Sequence, residues 1–358
     1  MKKLLVFFMI FLFLISGGVK GEETELQQLN INSAIDRVLE KNLDLKIARL
    51  DLDKAELQYK KEKASNLSSK SRYSEMQAKY NFKTAENNYE TTYNDLLQQV
   101  IDLYTQVWLQ KMNIGIKEKQ VKLESELLKK AEAEREIGEI SRVELLEQQN
   151  TFKDAEFNLE TARDNYNQSL RELKNLLGIK EASINLKDIK APEIWNIKVS
   201  EAVEKALKNS KNLQLKKEAV ELASIDLNKA EVTSSRLDKQ IKEIELKKAE
   251  LSRENTEENI KSNTREKFYQ FKQSVKQMNL KKERLKEAAQ KYNLQQEQYQ
   301  AGLITQTDVL QYEINMIQAR HDYRSAIATY YQNEFVLKNA MKVDINPVEV
   351  FAYENYQE

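Results

Sequence analysis

Two carboxylates stand out by their placement. Glu144 follows Ser141 by three residues, and Asp308 follows Thr305 by three; each hydroxyl in turn follows a glycine, Gly138 or Gly302, by three. A hydroxyl followed at the third position by an acid is a helix-start signature. The hydroxyl accepts from the backbone N–H of the acid, and the acid reaches back to the N–H of the cap. What this pattern offers is fixed negative charge at a helix N-terminus rather than bond-breaking. The rest of the chain offers little reactive chemistry. His321, the single histidine, stands between Arg320 and Asp322 and reads as a solvated surface residue. There is no Cys, hence no zinc cluster, no disulfide and no anchor through an N-terminal lipidated Cys. No Gly-rich loop could cradle a phosphate. The other carboxylates alternate with Lys at helical spacing, as on solvated helix faces. Trp108 and Trp195 read as packing residues, Trp195 anchoring a patch near Pro192. No enzyme activity, cofactor or metal is expected.

The elements that must place these carboxylates are written twice. The block Gly138–Leu146 returns as Gly302–Leu310 at an offset of 164, and the match runs without a gap for some 35 residues. Ala155, Ala162, Tyr166 and Leu173 fall on Ala319, Ala326, Tyr330 and Leu337. Upstream, Ala34 to Leu45 matches Ala202 to Leu213 at an offset of 168. A repeat of this kind fixes the architecture before any local reading.

Composition bounds that architecture. After residue 21 the glycines are Gly115, Gly138, Gly178 and Gly302, and the prolines Pro192 and Pro347, while 32% of the chain is charged. So few breakers point to long helices. Apolar residues form narrow stripes, so a compact core is not expected. Lys+Arg and Asp+Glu are equal at 57 each, which gives no global reason to bind nucleic acid. Residues 1–21 read as a secretory signal: Lys2 and Lys3, then an apolar run from Leu4 to Ile15, then small residues before Glu22. The alternative is an uncleaved N-terminal anchor.

The spacing predicts a first helix over 32–64, capped by Asn30 or Asn32, and a turn at Ser65-Asn66-Leu67-Ser68-Ser69. A long helix over 70–137 follows, with Tyr89, Tyr93, Leu97, Val100, Tyr104 and Val107 stepping by three and four. Gly138 ends it as a left-handed cap, and a helix from the Ser141 box runs to Gly178. The second half replays this from about Ser200, with a turn at Thr233-Ser234-Ser235, a long helix to Gly302 and a last helix from the Thr305 box. The fold class is therefore all-α, two tandem repeats of long antiparallel helical hairpins with little or no β. The expected divisions are signal 1–21, first repeat 22–178, linker 179–198, second repeat 199–342 and tail 343–358. Stripes too narrow to stabilise such helices alone call for packing between chains, hence a homo-oligomer.

The signal, the duplicated halves, the openings "AIDRVLEKNLDLKIARLDLDKAE" and "AVEKALKNSKNLQL", and the Tyr299–Leu310 block together resemble the TolC-like outer-membrane efflux family. The resemblance covers roughly 30–342. It implies a homotrimer in the outer membrane and periplasm of a Gram-negative-type envelope, working with a periplasmic adaptor and an inner-membrane transporter. It implies that Gly138, Ile140, Ser141, Gly302, Ile304 and Thr305 form the periplasmic tip where the adaptor docks, and that Glu144 and Asp308 line its aperture, where inward carboxylates would attract cations. Cap alone and cap plus aperture both stand open for these two acids. Gln311 replaces a further acid of some members. The family's membrane strands, expected near 65–71 and 233–236, have no visible counterpart; tight helix-to-helix turns are predicted there. The alternative function is a barrel-less periplasmic coiled-coil binding or spacer protein that does not conduct.

Overall fold

The computed structural model describes residues 27–69, 72–180, 184–233 and 235–343. The signal at 1–21 and the tail beyond Val343 lie outside them. The chain runs β1 (Gln27–Leu29), α1 (Ile31–Lys41), α2 (Leu43–Ser69), α3 (Arg72–Glu136), α4 (Arg142–Leu176), β2 (Ile184–Leu186), α5 (Val199–Asn209), α6 (Lys211–Thr233), α7 (Arg236–Gln300) and α8 (Gln306–Ala340). The repeat is carried into the lengths. The α3 and α7 helices have 65 residues each, and α4 and α8 have 35 each. At ~1.5 Å per residue the long helices reach about 100 Å.

The halves differ in one place. The α2 helix has 27 residues and α6 has 23, which is where the offset changes from 168 to 164. Four residues are close to one helical turn, so the buried face is nearly preserved across the difference.

The sequence expectation of one helix over 32–64 is corrected in two ways. The chain breaks at Asn42, whose ψ of 128° is extended, and the same break recurs at Ser210 with ψ 106°. Each of these side chains caps the next helix: Asn42 Oδ1 accepts from Leu45 N at 2.9 Å and Ser210 Oγ from Leu213 N at 3.1 Å. Further on, Ser65-Asn66-Leu67-Ser68-Ser69 is helical rather than a turn. Polar residues tolerate an exposed helix surface when packing of the stripe carries the helix. The junctions are shorter than expected, with two residues between α2 and α3 and two between α6 and α7. Residues 70–71 and 234 within them lie outside the described ones.

Packing places α3 between α2 and α4, which follow each other along one side of it, and α6 and α8, which do so along the other. The α7 helix packs on α6 and α8. The helices other than α6 meet in a central core, larger than the narrow stripes led one to expect. Leu97, Ile101, Tyr104, Leu173, Leu177, Phe271, Phe335 and Leu337 are fully buried there, closed over by α1 and α5. The stripes looked narrow because only the middle of each long helix contributes to this core. The parallel pair β1–β2, in register from Gln27↔Ile184 to Leu29↔Leu186, lies on it.

The linker through Pro192 is tied down by aromatic hydroxyls and one indole. Tyr104 Oη lies 3.0 Å from Leu29 O and 2.9 Å from Lys187 O. Trp108 Nε1 donates to Asp188 Oδ1 at 2.9 Å, and Arg324 pairs with the other oxygen of Asp188 at 2.8 Å. Tyr330 Oη accepts from Trp195 N at 3.0 Å, and burial pushes its pKa up to about 12, so it stays a neutral phenol.

Candidate functional site at the glycine turns

Gly138 and Gly302 lie at the same end of the molecule. Lys119 on α3 pairs with Glu313 on α8 at 2.8 Å, fixing the two hairpins side by side. Both turns are built alike. Gly138 has φ +82° and Gly302 φ +73°, in the left-handed region. Gly138 N donates to Arg135 O and Glu139 N to Glu134 O; Gly302 N donates to Tyr299 O and Leu303 N to Gln298 O. These bonds satisfy carbonyls that the helix end would otherwise leave open. In the first turn Arg135 also reaches across to Ile140 O at 3.0 Å.

The capping boxes form as the spacing predicts. Ser141 N donates to Glu144 Oε2 at 2.6 Å, and Glu144 N to Ser141 Oγ at 3.2 Å. Thr305 N donates to Asp308 Oδ2 at 2.9 Å, and Asp308 N to Thr305 Oγ1 at 3.3 Å. These bonds favour the charged form. The backbone of Ser141 holds the Glu144 carboxyl below its ordinary range, and the hydroxyl and backbone of Thr305 do the same for Asp308. Both acids are exposed, and in each a single oxygen takes the cap bonds.

Ile140 and Ile304 are half-buried, and Ser141 and Thr305 are exposed. Sequence reasoning missed two neighbours: Ile137 is 71% and Leu303 74% exposed. Leu303 occupies the position after the left-handed glycine, where an apolar residue usually folds back on the helix. Its exposure leaves it facing outward instead. Between the hairpins a cleft of about 640 Å³ is lined by Lys122, Glu126 and Lys130 on one side and Tyr299, Thr305 and Leu310 on the other.

Charge is distributed unequally between the two ends. Residues 132–147, around the first glycine turn, hold six acidic residues against Arg135 and Arg142. Residues 60–67, on the last turns of α2 at the opposite end, hold Lys60, Lys61 and Lys63 against Glu62.

His321 departs from its sequence reading. It is half-buried, its Nδ1 makes no hydrogen bond, and Asp322 Oδ1 lies 3.9 Å away. Burial pushes its pKa down, opposed by Asp322 and by the backbone of Leu109. The helical period alone did not reveal that α8 turns this residue toward α3. Among the described residues no group of His, Asp and Glu could hold a metal ion, and no helix is long and apolar enough to cross a membrane.

Comparison with known proteins agrees with this geometry. The family model described as outer membrane efflux protein matches residues 67–179 and 203–341, more than half of the chain and both repeats. Solved structures share the fold. The Campylobacter jejuni CmeC outer membrane channel is 14% identical, with a TM-score of 0.68 over 87% of this chain and 85% of that one. The outer membrane protein VceC of Vibrio cholerae is 12% identical, with a TM-score of 0.63 over 87% and 96%. The Neisseria gonorrhoeae MtrE outer membrane channel, in its open state, is 13% identical, with a TM-score of 0.63 over 87% and 88%. No curated protein matches by sequence.

Proposed function

Because the chain belongs to the outer membrane efflux protein family, we propose that three copies close into a helical conduit exporting substrates across the periplasm with an adaptor and an inner-membrane transporter. One observation carries this reading: each copy has two unlike, unpaired apolar edges. On α2 the exposed residues Leu43, Ile47, Leu50 and Leu57 recur at steps of four, three and seven. On α7 the exposed residues Leu237, Ile241, Ile244 and Leu251 recur at the same steps. The packing order puts α2 and α4 on one edge of the layer and α7 on the other. Heptad stripes on opposite edges suit a head-to-tail contact between copies, which closes into a ring when the rotation permits.

In this reading residues 22–178 and 199–342 are the two repeats, 179–198 the linker and 343–358 a tail. Gly138, Ile140, Ser141, Gly302, Ile304 and Thr305 form the adaptor-docking tip, with Ile137 and Leu303 added to it. Glu144 and Asp308 keep their caps and present the second carboxylate oxygen to the aperture, where three copies would concentrate negative charge. The family is one of transport components, and no catalytic step is assigned.

A second reading is favoured by the short junctions. A membrane-crossing strand takes about 9–11 residues, and two residues separate α2 from α3 and α6 from α7. A barrel-less spacer that docks partners without conducting needs no such strands and so fits those junctions. Deleting the gene and measuring accumulation of a fluorescent efflux substrate separates the two. Raised accumulation, reversed by the wild-type gene, supports the conduit. Unchanged accumulation overturns it and leaves the spacer.

A further inference from the structure

We propose that the end of the helical body opposite the glycine turns is a docking surface for anionic lipid headgroups, meeting the membrane at its surface. The proposal rests on the envelope placement proposed above. It starts from a juxtaposition: the ends of α2 and α6 and the starts of α3 and α7 lie together at this end. The ion pairs Lys211–Glu90 at 2.9 Å and Lys79–Glu218 at 3.8 Å run α6 antiparallel to the start of α3. Lys60, Lys61 and Lys63 are exposed on the last turns of α2, and Arg236 on the first turn of α7. Set among them is one isolated apolar residue, Leu67 at 84% exposure.

A single apolar residue flanked by long cationic side chains suits an interface of headgroups and acyl chains better than a protein socket, which would need a contiguous apolar patch. The cations attract anionic lipid within a Debye length. Their long stems lie along apolar surface while the charged heads stay wet. Lys60 pairs with Glu56 at 2.6 Å, but its side chain is 63% exposed, so this bridge holds it weakly. The acidic surplus around the first glycine turn would be repelled by the same lipid, so the charge distribution also orients the molecule. With junctions too short for strands, a surface contact is how this end can meet the membrane.

The test is co-sedimentation of the full mature protein with vesicles. Phosphatidylglycerol-containing vesicles are compared with pure phosphatidylcholine, at about 0.1 M and about 1 M salt, where the Debye length is about 10 Å and about 3 Å. Binding to anionic vesicles, lost on neutral ones and in high salt, is expected. The triple variant Lys60→Glu, Lys61→Glu, Lys63→Glu should bind about a hundredfold or more weaker, since each surface cation contributes about fivefold. Circular dichroism and oligomer size should match wild type. Equal binding to neutral vesicles, a triple variant that binds like wild type, or no vesicle binding together with a protein cross-linked at Leu67 in cells would overturn the proposal. Loss of export with vesicle binding intact counts against the conduit alone. Loss of vesicle binding with export intact counts against this docking surface alone.

Discussion

Substituting the glycines separates backbone strain from packing, because the structure makes opposite predictions for residues of one type. Gly138 and Gly302 have φ of +82° and +73°, and nothing lies within 4 Å of an added Cβ at either. Alanine there meets no steric obstacle, so its whole cost is the left-handed backbone, about 1 kcal/mol per site. The two turns cap different helices and share no hydrogen bond, so the double variant should lose about 2 kcal/mol. Gly115 lies inside α3, also with nothing within 4 Å of an added Cβ. Alanine there should gain about 0.5–1 kcal/mol. Urea unfolding followed by far-UV circular dichroism reads both signs. The double variant should move the midpoint down and Gly115→Ala should move it up, each with an unchanged slope. A Gly138→Ala, Gly302→Ala protein as stable as wild type, or a destabilised Gly115→Ala, would refute the argument. Hydrogen exchange at the Glu139 and Leu303 amides should localise the loss to the turns.

Further outcomes follow from the same geometry. Lys342 has φ 51° at the place where the first repeat has Gly178, so Lys342→Gly should stabilise by about 1 kcal/mol, less a small loss of its 3.5 Å pair with Glu90; thermal unfolding checks this. His321 has its pKa pushed below its ordinary 6.5 by burial. The unfolded chain therefore takes up the proton first, so stability is full above about pH 6.5 and falls as pH drops toward the folded value; His321→Gln should remove that slope. Glu144 and Asp308 are held below their ordinary pKa values, so their contribution is present above those values and lost as pH falls through the lowered ones. Glu144→Gln with Asp308→Asn should flatten this acid limb. Altered export in that variant supports the aperture, whereas unchanged export with lower stability leaves the cap alone. Ile140→Glu or Ile304→Glu should abolish adaptor cross-linking while helicity stays at the wild-type level.

Much of this was legible in the sequence because the signals are local. A glycine followed by a capping box fixes φ, hydrogen bonds and helix start within seven residues, and both copies formed as read. The 164-residue offset reappears as the equal lengths of α3 and α7 and of α4 and α8. What the sequence hid depends on tertiary contact. The break at Asn42 was the exception: Asn42 and Ser210 cap through bonds to Leu45 and Leu213, a local signal that the otherwise unbroken helical pattern masked. Ser65–Ser69 looked like a turn because intrinsic propensity is weak beside the packing of a 27-residue helix. His321 looked solvated because its neighbours in sequence are charged, while its neighbours in space are on α3. The exposure of Ile137 and Leu303 had no sequence signal beyond an apolar residue beside a turn glycine.

The closed ring is tested most directly by cross-linking. The chain has no cysteine, so an introduced pair reports without background. Leu57 on α2 and Leu251 on α7 are exposed at similar distances from their junctions, 12 residues before Ser69 and 15 after Arg236. With Leu57→Cys and Leu251→Cys in one chain, oxidation should give linked dimers and trimers and a ladder that stops at three copies. A ladder running past three, or monomer alone under conditions where the protein is fully helical, would contradict the trimeric conduit.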